Sequence, residues 1–199
     1  MIKFCNKCLF PNTKPDLYFN ETGTCDACVS AEKKWDFEKG IDWNKRSNHF
    51  DSILSEIGEK NLYDCIVPVS GGKDSTWQAY SLKNVHGLKP LAVTFDQFDT
   101  TETGRNNLEL IKDFGIDHIH FTLNPKLVQK LVYRGFVEVG DPYWVNHVGM
   151  FSIPHTIARN FSIPLIVYGE NPQFEYGGPE ESRAPKYMDE RWRQEFGGL

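Results

Sequence analysis

Tyr63-Asp64-Cys65-Ile66-Val67-Pro68-Val69 followed by Ser70-Gly71-Gly72-Lys73-Asp74-Ser75 is the stretch from which the fold can be read. Residues 63–69 form a short apolar run of the kind that makes a strand buried on both faces. Ser70 to Asp74 reads as a turn, and residues 75–85 have helical composition. Two glycines let the backbone turn tightly and let anionic oxygens approach its amides. The helix that follows would add unpaired N–H groups and roughly half a positive charge at its N-terminus. Ser70 and Ser75 supply hydroxyl donors, and Lys73 a mobile cation. Asp74 would repel phosphate directly, so its carboxylate is better suited to Mg²⁺. A Walker A loop is excluded, because the required first glycine and the Ser/Thr after lysine are replaced by Val67 and Asp74. The plain alternative is an ordinary strand-to-helix turn. The full hexapeptide placed directly after an apolar strand favours a phosphate loop.

Outward from this point strands and helices alternate. Residues 91–95, 118–122 and 164–168 read as strands, and residues 106–114, 126–139 and 148–160 as helices, with Pro154 expected to kink or restart the last. Upstream, residues 42–60 read as a helix with Trp43, Phe50, Ile53, Leu54 and Ile57 on one face. Such alternation implies right-handed crossovers and a doubly wound parallel α/β sheet, whose ligands gather at the carboxyl ends of the strands. Residues 186–196 are polar and helix-like. Gly197-Gly198-Leu199 then ends the chain without a final strand, which reads as an incomplete C-terminus.

Residues 1–30 stand apart, with four of the five cysteines. Cys5-x₂-Cys8 and Cys25-x₂-Cys28, separated by 16 residues, fit a tetrathiolate Zn²⁺ site, with Gly23 easing the second turn. Disulfides or a redox pair are the alternatives. With all four positions filled by protein ligands the zinc would be structural, tying together a segment too small to build its own core. We therefore expect a zinc-binding module over residues 1–40 and a nucleotide-binding domain over 41–199. Cys65, inside the first strand, reads as a small buried hydrophobe.

The chain has 199 residues, 40% hydrophobic and 25% charged, which suits one α/β domain with a small appendage rather than a disordered protein. A net charge of −5 argues against a general nucleic-acid binder. No apolar run is long enough to span a membrane and no signal-peptide pattern opens the chain, so a cytoplasmic location is expected and the sequons at Asn20 and Asn160 carry no weight.

Three further segments carry candidate site residues. Phe95 and Asp96 end the second strand and would border a nucleotide. The polar loop after them would present Thr101, Glu102, Thr103 and Asn106 to substrate, unless it is simply an exposed loop capping a helix through Thr103. After the fourth strand, Gly169, Glu170 and Asn171 belong to a Gly/Pro-rich loop whose carboxylates could hold a second Mg²⁺ or sugar hydroxyls. Tyr143 and His147 lie in a mixed aromatic and polar stretch that suits sugar stacking or ordinary packing equally. His49, His86, His118, His120 and His155 have no metal-like spacing.

Ser-Gly-Gly-Lys-Asp-Ser at 70–75 resembles the PP-loop of the ATP pyrophosphatases. That resemblance implies cleavage of ATP between its α and β phosphates, adenylation of a substrate oxygen, and expulsion of AMP by a nucleophile. Further matches occur in order. They are Cys-x₂-Cys-Leu-Phe-Pro-Asn-Thr-Lys-Pro-Asp at 5–16, Gly-Thr-Cys-Asp-Ala-Cys at 23–28, Thr-Glu-Thr-Gly-Arg-Asn at 101–106 and Tyr-Gly-Glu-Asn-Pro-Gln at 168–173. Together they resemble the N-acetyl sugar amidotransferases of bacterial surface-polysaccharide and nonulosonic-acid pathways, whose members continue past this chain. The resemblance implies an adenine-nucleotide alpha-hydrolase-like fold, an acetamido sugar as substrate, and ATP, Mg²⁺ and structural Zn²⁺ as cofactors. It also implies a separate glutaminase subunit supplying ammonia. Lys73 and Asp74 would be the catalytic pair, with Ser70, Gly71, Gly72 and Ser75 completing the nucleotide cradle. A tRNA thiolation enzyme is the rival, disfavoured because no cysteine follows Cys65. A zinc-ribbon interaction module without turnover is the third reading.

Overall fold

The computed structural model describes residues 1–14, 17–34, 36, 40–57 and 62–169. The described chain falls into two compact units, residues 1–56 and residues 57–169.

The first unit is built on two cysteine knuckles. Short antiparallel bridges, Phe4 with Pro11 and Phe19 with Cys25, close a turn over each cysteine pair. The second turn needs Gly23 at φ +78°, and Asn20 organises it by accepting from the amides of Thr22 and Thr24 and from the Thr22 hydroxyl. Asn6 ties the turns together, donating to the Thr22 carbonyl at 2.7 Å and accepting from the Thr24 hydroxyl at 2.9 Å. Helix α1 (Asp26–Lys34) runs on from the second knuckle, inside a stretch whose sequence shows no helical period. Helix α2 (Trp43–Ser55) also belongs to this unit; it is capped by Asp42, which accepts from the Lys45 amide. Phe50, Ile53 and Leu54 are half-buried, whereas Trp43 is exposed.

The second unit is the expected parallel α/β fold. Strands β1 (Cys65–Pro68), β2 (Pro90–Phe95), β3 (Asp117–Phe121) and β4 (Leu165–Ile166) form one parallel sheet in the order β3-β2-β1-β4. Helices α3 (Lys73–Asn84) and α4 (Glu102–Asp113) are the first two crossovers. Helix α5 (Pro125–Arg134), a π-helical turn (Gly135–Val139) and helix α6 (Trp144–Phe161) make the return crossing to β4. Right-handed crossovers that step first one way and then back place α3 and α4 on one face and α6 on the other. The burial agrees: Ile66, Leu91 and Val93 pack with Ile153, Ile157 and Ala158 of α6. Their neighbours Cys65, Val67 and Ala92, pointing to the opposite face, are equally buried. The reversal of strand order between β1 and β4 is the topological switch point, where ligands of such sheets bind.

Element ends differ from the sequence expectation in ways that bear on the site. Helix α3 begins at Lys73, so Lys73 and Asp74 belong to its first turn and not to a free loop. Helix α4 begins at Glu102, and its cap is Thr101, whose hydroxyl accepts from the Gly104 amide at 3.1 Å, not Thr103. Glycine at 104 hides this start, because it reads as a helix breaker. Helix α6 begins at Trp144 and continues through Pro154 as one element. The His155 ring and the Thr156 hydroxyl bond the carbonyls of Phe151 and Ser152 in the turn that the proline interrupts. The helix expected over 126–139 changes to π geometry at Gly135, where a Cβ would lie 2.6 Å from the Asp141 carbonyl oxygen.

Helix α6 reaches the sheet closely at one point. A Cβ on Gly149 would lie 2.4 Å from the Phe95 ring, which itself stacks on Phe121 at 6.2 Å between centroids. We expect Gly149→Ala to destabilise the second unit by about 1–3 kcal/mol, as overpacking does; chemical denaturation followed by far-UV circular dichroism checks it.

Candidate functional site

The carboxyl end of β1 is fixed from several sides. The Val69 amide donates to the Val93 carbonyl at 2.9 Å, and the Val69 carbonyl accepts from the Thr94 hydroxyl at 2.7 Å. That hydroxyl has spent its only proton, so the His118 Nε2 found 2.8 Å away must be the donor to it. Burial holds the His118 imidazole below its ordinary value, with the His120 and Lys112 charges acting the same way. A neutral His118 with its proton on Nε2 is therefore part of the support beneath residue 70.

The loop itself is pressed against the start of α4. Gly71 has φ +78°, and a Cβ there would lie 2.2 Å from the Gly104 carbonyl oxygen. Only glycine meets both conditions. Asn107 Nδ2 donates to the Gly71 carbonyl at 2.7 Å and holds the peptide in place. Gly104 and Asn107 are thus functional partners of the loop that the sequence did not single out; their spacing of three on a helix was the available signal.

Gly72 caps α3 without a side chain, and the first helical bond is donated by the Thr76 amide to the Gly72 carbonyl. The amides of Lys73, Asp74 and Ser75 therefore precede any intrahelical partner. The Ser75 and Thr76 hydroxyls both donate to the Gly72 carbonyl, and the Ser70 amide donates to the Ser75 hydroxyl. Lys73 Nζ lies 2.7 Å from each Asp74 carboxylate oxygen, and both side chains are exposed. Such a pair contributes little to stability and opens readily for an anion or a cation. The arrangement can cradle a polyphosphate: backbone donors, a swinging ammonium and an oxygen ligand for a hard metal lie within one helical turn.

The other sequence-derived candidates are distributed around the carboxyl edge. Phe95 is buried between Phe121 and Gly149, and Asp96 accepts from the Phe98 amide and the Thr122 hydroxyl. Thr101, Glu102, Thr103 and Asn106 are exposed at the start of α4, next to the loop. Gly169 follows β4, and a Cβ there would lie 3.4 Å from Gln78 Oε1 on α3. Tyr143 and His147 are exposed at the start of α6. Glu170 and Asn171 lie outside the described residues.

In the first unit, the sulfurs of Cys5, Cys8, Cys25 and Cys28 all lie within 4.8 Å of one another. Cys8 and Cys25 approach to 3.6 Å, and Cys5 and Cys28 to 4.0 Å. A zinc tetrahedron with bonds of about 2.3 Å has edges of about 3.8 Å, so the quartet fits that ion. Burial raises the Cys5 thiol, but the amides of Cys25, Cys8 and Lys7 outweigh it and bring it down to about 6. Loss of hydration and then the neighbouring sulfurs push Cys28 up to about 12. Four thiols so placed ionise together only around a cation. Burial pushes the Cys65 thiol up to about 12, as suits an inert strand residue.

No protein-family profile and no curated protein matches the sequence. Among solved structures, the chain is similar to NMN synthetase from Francisella tularensis, at 18% identity and a TM-score of 0.49 over 66% of this chain and 56% of that one. It is similar to the NH₃-dependent NAD synthetase of Campylobacter jejuni, at 16% identity and a TM-score of 0.48 over 67% of this chain and 58% of that one. A third similarity is to a predicted tRNA methyltransferase subunit from Methanocaldococcus jannaschii, at 26% identity and a TM-score of 0.41 over 61% of this chain and 60% of that one. In each case this chain spans less than two thirds of the other's length. Among the described residues no helix is long and apolar enough to cross a membrane.

Two measurements follow from this geometry. Purified protein should carry one zinc per chain, and Cys25→Ser should lose the metal and unfold the first unit; elemental analysis and limited proteolysis report both. In the second unit, unfolded His118 takes up its proton near the ordinary value of 6.5, whereas the folded ring does so only at lower pH. Its contribution is complete above 6.5 and is lost as the pH falls toward the folded value. Stability should therefore decline from pH 7.5 to 5.5, and less steeply in His118→Gln, by urea denaturation.

Proposed function

We propose that the chain is the nucleotide-binding part of an ATP-dependent amidotransferase of the PP-loop class, acting on an acetamido sugar. The observation that carries this reading is the 70–75 loop: an SGGKDS sequence after a buried parallel strand, with helix-start amides that have no partner among the described residues and an exposed lysine paired with Asp74. In this reading the Lys73, Asp74 and Ser75 amides and the Ser70 hydroxyl receive the phosphates of ATP, and the Ser75 hydroxyl joins them by giving up its bond to the Gly72 carbonyl. Lys73 leaves Asp74 to follow the negative charge, and the freed carboxylate is the hard oxygen donor that Mg²⁺ prefers. Mg²⁺ would supply charge neutralisation on the phosphates. Phe95 and Asp96 border the nucleotide, with Gly169 and Glu170 on the β4 side. Thr101, Glu102, Thr103, Asn106, Tyr143, His147 and Asn171 face the sugar.

The chemistry explains why ATP is needed. An amide carbonyl resists ammonia because its oxygen is a poor leaving group. Attack of that oxygen on the α-phosphorus expels pyrophosphate and turns it into the good leaving group AMP. Ammonia then replaces it, giving an acetamidino sugar. The resemblance to the sugar amidotransferases implies that ammonia comes from a separate glutaminase, and the cysteines fit this: Cys65 is buried with its thiol pushed up to about 12, and the other four cluster as candidate zinc ligands. Zinc would serve the fold of residues 1–40, with the nucleotide domain extending over 41–199 in the cytoplasm.

Lys73→Ala and Asp74→Ala should each cut AMP formation at least a hundredfold, about 3 kcal/mol of transition-state stabilisation, while leaving the far-UV spectrum unchanged. The assay supplies ATP, Mg²⁺, ammonium and a panel of acetamido sugars. Near-normal AMP release by both variants would remove the loop from the site, and release of ADP in place of AMP would overturn the reaction class.

A further inference from the structure

The start of α6 carries a histidine held in the manner of a general base. His147 Nδ1 lies 3.0 Å from Asp141 Oδ2, and Asp141 Oδ1 accepts from the Tyr143 amide at 2.8 Å. Both carboxylate oxygens are thereby committed, so the ring is oriented and its Nδ1 carries the proton. Nε2 has no hydrogen-bond partner among the described residues, and the side chain is 47% exposed. The backbone goes to some length to place Asp141. The π-helical turn ends at Gly140 in the left-handed region, and the Asp141 amide donates to the Gly135 carbonyl at 3.1 Å. Interruptions of this kind cluster at functional sites.

Position supports the same role. His147, Phe151 and His155 are spaced at i, i+4 and i+8 and so share one face of α6. Phe151 and His155 contact the ring of Tyr168, just after β4, at centroid distances of 5.5 and 6.1 Å. The next residue, Gly169, sits against Gln78 of α3. His147 is one turn farther toward the carboxyl edge on that column, on the side of the β1–β4 switch point.

We propose that His147, oriented by Asp141, is the general base of the ammonia step. This rests on the amidotransferase reading given above. In the first step the acetamido oxygen bonds to the α-phosphorus, the bond to pyrophosphate breaks, and the nitrogen loses its proton to water to leave a C=N imidate. In the second, the lone pair of ammonia forms a C–N bond to the imidate carbon as the C=N pair moves onto the imidate nitrogen, which takes a proton from water. The attacking nitrogen gives a proton to His147 Nε2. The C=N bond re-forms as the C–O bond breaks, and AMP leaves with that electron pair.

The two steps are separated by measuring sugar-dependent exchange of labelled pyrophosphate into ATP, which reports adenylation, and ammonium-dependent amidine formation, which reports the second step. The panel is free and nucleotide-linked N-acetylhexosamines. At saturating sugar, where any loss of sugar binding shows only in KM, His147→Gln should keep the maximal rate of exchange within a fewfold of wild type and lose about a hundredfold or more in the maximal rate of amidine formation. The deficit should shrink as the pH rises and hydroxide can take the proton from the attacking nitrogen in place of His147. Asp141→Asn should show the same pattern at about tenfold or more. The charged and titratable groups placed along this face are Asp141, His155 and Tyr168, so His155→Gln is the control whose pH profile should match wild type. Equal loss of exchange and amidine formation, or a pH-independent deficit, would overturn the role of His147. Absence of sugar-dependent exchange in the wild type would instead overturn the amidotransferase reading, and this inference with it.

Discussion

Two backbone segments touch where the first cannot carry a side chain. Gly71 and the Gly104 carbonyl are so close that a single Cβ on residue 71 would separate them, and the 70–75 loop owes its position to that contact. The Asn107 amide then locks the Gly71 carbonyl, and Thr94 with His118 locks the Val69 carbonyl just before it. Every donor offered to phosphate stands on this short length of chain. Its rigidity is what preorganised charge stabilisation requires, because donors already aimed need no reorganisation when charge develops.

The two units reach order by different physics. The second buries apolar residues on both faces of a parallel sheet, with Ile66, Leu91 and Val93 on one face and Val67 and Ala92 on the other. Among the described residues the first has a small buried cluster of Cys5, Leu17 and Cys25. So small a core does not hold a fold, whereas four thiolates around one cation do. The hydrogen bonds radiating from Asn6 and Asn20 set the geometry that makes the quartet ready.

Much of this could be read from residue order. Val67, Ala92 and their neighbours are so continuously apolar that only a buried parallel strand accommodates them, and the cysteine spacing announced its own cluster. Helix starts were less legible. Thr101 and Thr103 are equally good caps on paper, and Thr101 is the cap although Gly104, a poor helix former, then falls in the first turn. The same limit applied at α6, where Asp141 and Gly140 set the start one turn early. His118 gave no signal at all, because its partner Thr94 lies on another strand. The pairing of Asp141 with His147 was hidden by a spacing of six, which no regular helix brings together and only the turn at 140–143 does.

The strand order has a consequence for how the molecule assembles. Cys65 pairs with Pro90 on one side and with Leu165 on the other, so the second partner is four times as far along the chain as the first. Closing the longer loop costs about 1 kcal/mol more in chain entropy, and the reward is a ladder of only two residues. The three-strand sheet β1–β2–β3 can therefore form on local contacts, with β4 docking late and undocking first. The crevice in which we propose that a nucleotide binds lies at that last-formed seam. The most slowly acquired part of the sheet is thus the part whose opening admits a ligand, and occupancy of the crevice would tighten the seam in return.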